Sequence, residues 1–156
     1  MDDGVRWGEV EAGAPEFARR VRERFDAGVH KTLATLRSDG SPRISGTELE
    51  ISDAEVTLGM MAGSVKLVDV LRDPRVALHS PSTDPDPADP SAWAGEAKMS
   101  GRLVLVEPPL ESVSAPGSHF RLSVTEVVLT AVGRPADHLV VESWHPAAGY
   151  RCRRRE

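Results

Sequence analysis

Apolar residues recur along this chain first with a helical period and then, for most of its length, with the alternation that marks strands. From about Ala14 to Ala27, Phe17, Val21 and Phe25 fall four residues apart on one face, while Arg19, Arg22 and Glu23 project elsewhere. Pro15 suits the first helical position, Glu16 the positive end of the helix, and Gly28 its exit, so an amphipathic helix is predicted over 14–28.

Two β-prone runs follow, Lys31 to Arg37 and Pro42 to Ile51, on either side of Ser38-Asp39-Gly40-Ser41, which reads as a hairpin turn. After Ser52-Asp53-Ala54-Glu55, Val56, Leu58 and Met60 alternate along a third strand. A short helix from Ser64 to Asp73 is predicted next, with Leu67, Val68 and Leu71 on one face, Ser64 as N-cap and Pro74 as the stop. Arg75 to Ser80 gives a fourth strand. Four prolines between Pro81 and Pro90 cannot feed a sheet ladder, so 81–93 reads as an exposed acidic loop. Ala94 to Val106 alternates as a long strand, bent at Gly101, and after an irregular connection over 108–117 the runs His119 to Val132 and His138 to Trp144 close the count. These elements predict a mainly β fold of about six or seven antiparallel strands with two short helices, closed into a barrel so that no sheet edge lies bare.

The polar positions add candidate chemistry. A strand runs through Ala62-Gly63 into the helix that begins at Ser64, and a helix start offers free N–H groups and a partial positive charge to an anion. Lys66 adds a full charge and the Ser64 hydroxyl a donor. The competing reading makes Ser64 a plain cap and Lys66 a solvated lysine. Arg43, Ser45 and Thr47 alternate with Leu49 and Ile51, so their side of the strand is at least partly buried and a polar cleft accounts for it.

Composition narrows the classes. A 156-residue chain is long enough for one self-standing core, and 40% hydrophobic against 28% charged residues is ordinary for a globular protein. A net charge of -5 argues against nucleic acid, leaving the run Arg151 to Arg155 as a solvated tail. The lone Cys152, the acidic start and the lack of a long apolar run lead us to expect a soluble, cytoplasmic protein without disulfides. His30, His79, His119 and His138 show no metal-ligand spacing, and no P-loop, nucleophile elbow or dinucleotide fingerprint occurs.

Taken together, Ala34-Thr-Leu-Arg-Ser-Asp-Gly-Ser-Pro-Arg43, then Met60 to Lys66, then Leu71-Arg-Asp-Pro-Arg-Val-Ala77 resemble the pyridoxamine 5'-phosphate oxidase-like superfamily of FMN-binding split β-barrels. The resemblance implies a single split-barrel domain over 1–156 and a homodimer whose interface holds FMN, or coenzyme F-420 in one branch. It implies that Lys66, with Ser64, takes the cofactor phosphate, that Arg43, Ser45 and Thr47 line the cleft, and that Met60 backs the ring. Pyridoxamine phosphate oxidases themselves carry arginine where Ser45 stands and lysine where Glu50 stands, so vitamin chemistry is not expected; Val65 also replaces an arginine that many members place before the phosphate lysine. Ser45-Gly46-Thr47 looks closer to the deazaflavin-using branch.

Trp93, Trp144, His145 and Tyr150 are candidates for the substrate side, because aromatic and imidazole groups stack on planar ligands; core packing or a subunit interface are the competing roles. The expected activity is flavin- or deazaflavin-dependent oxidation or reduction of a small organic molecule. The alternatives are a non-catalytic cofactor- or haem-binding barrel and a barrel that has lost its cofactor.

Overall fold

In a computed structural model that describes residues 3–108 and 117–156, the chain folds into a mainly β structure. Two helices come first, α1 (Trp7–Gly13) and α2 (Pro15–Phe25). The strands β1 (Lys31–Leu36), β2 (Pro42–Thr47), β3 (Glu50–Ser52) and β4 (Glu55–Met61) lead into α3 (Val65–Arg72). The rest is β5 (Arg75–His79), a 3₁₀ turn at Pro90–Ala92, β6 (Glu96–Val106), β7 (Gly117–Val132), β8 (Leu139–His145) and β9 (Gly149–Arg155).

All neighbouring strands are antiparallel, in the order β2-β1-β5-β6-β7-β4-β3, with β8 and β9 branching from β7. The branch follows from the length of β7. Its Gly117–Arg121 end pairs with β4 and its Val127–Val132 end with β8, while β6 runs beside it throughout. The sheet splits there into two wings, the split-barrel-like, mainly β architecture that the resemblance implies; the closure expected from the alternation is not complete, because the sheet stays open and β9 is left as an edge.

The counts differ from the sequence expectation in three places. The single run Pro42–Ile51 is broken at Glu48-Leu49 into β2 and β3. The arginine run is not a tail: residues 149–155 form β9, paired with β8 from Leu139↔Arg155 to His145↔Gly149. A third helix, α1, precedes the predicted one, with Trp7 and Val10 buried. The irregular connection expected over 108–117 falls almost wholly on residues 109–116, which lie outside the described residues.

The inner face of the sheet is the core. One cross-strand row runs Ser45, Leu33, Leu78, Met99, Val127, Trp144, Tyr150 by register, and α2 covers it with Phe17, Val21 and Phe25. Gly101 bends β6 as expected: the register of β6 on β7 shifts between Ser100 and Gly101. A Cβ at Gly101 would stand 2.0 Å from the Ser123 carbonyl oxygen, so no other residue fits.

Candidate functional site

The site is built where α3 meets β2. Because side chains on a strand alternate, Arg43, Ser45 and Thr47 point to the inner side of β2 while Ile44 and Gly46 point out, and Leu49 and Ile51 continue the inward set. Burial of that side is as the alternation requires. Its polarity, however, is satisfied from within. Asp69, on the inner face of α3 and 2% exposed, accepts from Thr35 Oγ1 at 2.8 Å, from Arg43 Nε at 2.8 Å and from Arg72 at 3.1 Å. Arg43 is therefore committed to an internal ion pair beneath α3, and Thr47 turns its hydroxyl to the Glu48 carbonyl at 3.2 Å. Met60, 3% exposed, belongs to the core, and its neighbour Met61 is the exposed one. The helix also presents a different face from the predicted one: Leu67, Asp69 and Val70 are inside, whereas Val68 and Leu71 are exposed.

At the other end of α3 the groups are not satisfied. Ser64 occupies the N-cap position with extended backbone, yet its side chain caps nothing. Its Oγ is buried and has no hydrogen-bond partner among the described residues. The first intrahelical bond is Val68 N–H to the Ser64 carbonyl, so the amides of Val65, Lys66 and Leu67 have no acceptor within the helix. Gly63, at φ +79°, makes the left-handed turn that brings the chain into the helix. Lys66 lies beside this end and donates through Nζ to the Gly46 carbonyl at 2.8 Å, tying the helix start to β2. An ammonium group has three donors, and two remain. Three amides, a hydroxyl and an ammonium thus collect at one helix start, the donor set that a phosphate monoester accepts.

The outer side of β2 borders a groove of about 480 Å³ across β1, β5, β6 and β7, lined among others by Thr32, Ala34, Ile44, Ala77, Lys98 and Val128. Ile44 is 75% exposed there. Most of the wall's surface is apolar, with His79, Lys98, Ser100 and Glu126 among it, a mixture that a ring or a second protein surface can use. Among the described residues no three His, Cys, Asp or Glu side chains converge as metal ligands.

No family model matches the sequence, and no curated protein sequence matches it. Solved structures do. A pyridoxamine 5'-phosphate oxidase-related, FMN-binding protein from Nostoc punctiforme superposes with a TM-score of 0.60 at 11% identity, over 92% of this chain and 96% of that one. PhzG from Burkholderia lata, solved with tetrahydrophenazine-1-carboxylic acid, gives a TM-score of 0.60 at 14% identity over 92% and 87%. A heme binding protein from Mycobacterium smegmatis gives 0.56 at 20% identity, over 83% of this chain but 57% of that one. The chain has the pyridoxamine 5'-phosphate oxidase-like fold.

Within this fold the four residues expected on the substrate side do not form one cluster: Trp144 and Tyr150 are cross-strand neighbours on the inner face, while His145 and Trp93 are engaged elsewhere. Trp144 is 6% exposed and sits in the core against Gly13. Tyr150 packs its ring edge-on to Phe17, centroids 5.4 Å apart, and donates its hydroxyl to Glu142. Glu142 is also held by Arg20 from α2, at 2.7 Å for one of two bonds. Burial works against ionisation of Glu142, but Arg20 and Tyr150 outweigh it and lower its pKa. Burial and the same carboxylate push the Tyr150 phenol up, so it stays a donor. His145 bonds Glu126 at 2.8 Å, and Trp93 donates to the Thr83 carbonyl at 2.7 Å in the proline loop. Trp144 and Tyr150 thus fasten α1 and α2 to β8 and β9, a helix-docking role that the aromatic composition alone could not separate from ligand stacking.

Asp69 is the residue that sequence reasoning missed. Its signal was present: an acid between the buried positions Leu67 and Val70, with Arg72 one turn on and Arg43 on the inward alternation of β2.

Proposed function

We propose that this chain binds a flavin-type cofactor, FMN or alternatively coenzyme F-420, at the start of α3, and that it works as a homodimeric oxidoreductase on a small organic substrate. The observation that carries this reading is the uncapped start of α3, where the buried Ser64 hydroxyl has no partner and Lys66 stands beside free amides. A hydroxyl that desolvates without a partner costs about 1–3 kcal/mol, which an anionic ligand would recover. Ser64, Lys66 and the amides of residues 65–67 would hold the phosphate. Ser45, half-buried on β2, would face the same cleft, while Arg43, Thr47 and Met60 would support its wall from behind.

A bound flavin or deazaflavin would supply hydride transfer. The chain's own part is to fix the cofactor's charged end, to offer an apolar surface for the ring, and to exclude water from it. The exposed apolar face around Ile44 favours a second copy as the remaining wall. The likeness to a heme binding protein favours a second reading, a haem-binding barrel without turnover.

The visible spectrum of the purified protein, followed by titration with FMN and with coenzyme F-420, separates these readings, because flavin, deazaflavin and haem absorb differently. Lys66→Ala is expected to weaken binding of the cofactor by more than the ~1 kcal/mol of an exposed ion pair, measured by fluorescence titration. Unchanged affinity would remove Lys66 from the site.

A further inference from the structure

Two charged patches flank one end of the outer sheet face, and neither is ion-paired among the described residues. The first is on β9, an edge strand whose residues alternate between the α2 side, where Tyr150 packs, and the outer side. Arg151, Arg153 and Arg155 share that outer side, about 7 Å apart along the strand. All three are exposed and make no ion pair among the described residues, whereas Arg154 on the opposite side reaches Glu156 and Asp137. A groove of about 360 Å³ lies at the end of this row, lined by Val141, Arg153, Arg154 and Arg155. By register the row continues inward through Ser143 and Val128 to Lys98, into the apolar groove around Ile44.

The second patch is the proline loop. Asp84, Asp86 and Asp89 are exposed and have no cationic partner among the described residues. The loop is held in shape rather than loose: Trp93 donates to Thr83, Ala88 N–H to Asp86, and Ser91 to the Gly133 carbonyl at the end of β7. Pro90 at its foot and Arg155 line one cavity. The loop therefore stands next to the arginine row without turning its carboxylates onto it.

We infer that in the homodimer the acidic loop of each copy seats on the arginine row of the other. The argument is charge complementarity joined to symmetry. A two-fold contact presents the same surface from both sides, so it is favourable when a surface carries two opposite patches near the axis, each meeting its complement twice. The groove beside them, where Ile44, Ala34, Ala77 and Val128 stand among Lys98 and Glu126, supplies the central burial, and the two charged patches form the rim that fixes register. This inference rests on the homodimer proposed above and adds which residues set its geometry.

The test is sedimentation velocity of the full chain and two variants. One carries Arg151→Glu, Arg153→Glu and Arg155→Glu; the other carries Asp84→Lys, Asp86→Lys and Asp89→Lys. All six positions are exposed. Each variant alone opposes like charges twice and is expected to dissociate at least roughly tenfold more readily than the wild type. An equimolar mixture restores both contacts, one in native and one in reversed polarity, and is expected to dimerise about as tightly as the wild type. Recovery on mixing cannot arise from a contact within one chain or from misfolding. A mixture no tighter than its components, or a variant that dimerises like the wild type, overturns the exchange of loops while leaving the dimer. A wild type that stays monomeric overturns both.

Discussion

Replacing Asp69 by asparagine is expected to lower folding stability by about 3 kcal/mol. Asp69 carries the only negative charge in a cluster with Arg43, Arg72 and Thr35, three of whose bonds end on its two oxygens. Without that charge, Arg43 and Arg72 both lose their shared carboxylate, and the partly buried Arg43 keeps no anionic partner on the inner side of β2. The effect is also legible in pH. Burial opposes ionisation of Asp69, but hydrogen bonds from Arg43, Thr35 and Arg72 override it and hold the carboxyl at about 2, below its ordinary 3.8. A carboxyl lowered by folding contributes stability that is complete above its unfolded value and is lost as pH falls toward the folded one. Urea titrations from about pH 5 down to about pH 2 are therefore expected to show the wild type weakening across that window, and Asp69→Asn weak throughout with a shallower slope. Asp73, lowered to about 2 by Arg75 on the surface, contributes to the same window and provides the control. Asp73→Asn is expected to cost under about 1 kcal/mol.

Trp144→Ala is expected to cost about 3–5 kcal/mol, the range for emptying a large aromatic from a core. Trp144 lies in the inner row between Val127 and Tyr150 and closes the space under Gly13 at the end of α1. Its loss would loosen α1 and α2 together, since the neighbouring Tyr150, Glu142 and Arg20 clasp anchors the same helices. Thermal unfolding gives the stability change. Cofactor titration of the folded fraction then distinguishes the roles: a core residue leaves affinity within about twofold of wild type, whereas a ligand platform loses affinity before it loses stability.

Most of the fold could be read from alternation, and the failures have physical reasons. Phe17, Val21 and Phe25 announced α2 because a surface helix must bury one stripe, and all three are buried. β9 was invisible because an exposed edge strand has no buried side to alternate with: Arg151 to Arg155 pair fully through the backbone while every side chain meets water. Those charges also guard the edge against further strand addition. α1 was missed because Trp7–Gly13 has no side-chain cap and too few turns to show a period.

The candidate site was legible in part. The start of α3 and the inward set of β2 were both read correctly from spacing, and the structure brings Lys66 to Gly46 between them. What spacing could not give was the partner of each polar group. Arg43 resembled a cleft residue until Asp69 was seen to face it from another element. Ser64 resembled an ordinary cap until its hydroxyl proved to cap nothing. Both corrections depend on distances between segments far apart in sequence, which a one-dimensional pattern does not contain.

The account turns on a phosphate held at the start of α3, and riboflavin is FMN without that phosphate. Parallel titrations of the wild type with FMN and riboflavin test it most directly. FMN is expected to bind at least roughly tenfold tighter, because charge-assisted bonds from Lys66, Ser64 and the free amides are available to it alone. Equal affinity for the two would show that nothing at that helix start grips an anion, and would contradict the account.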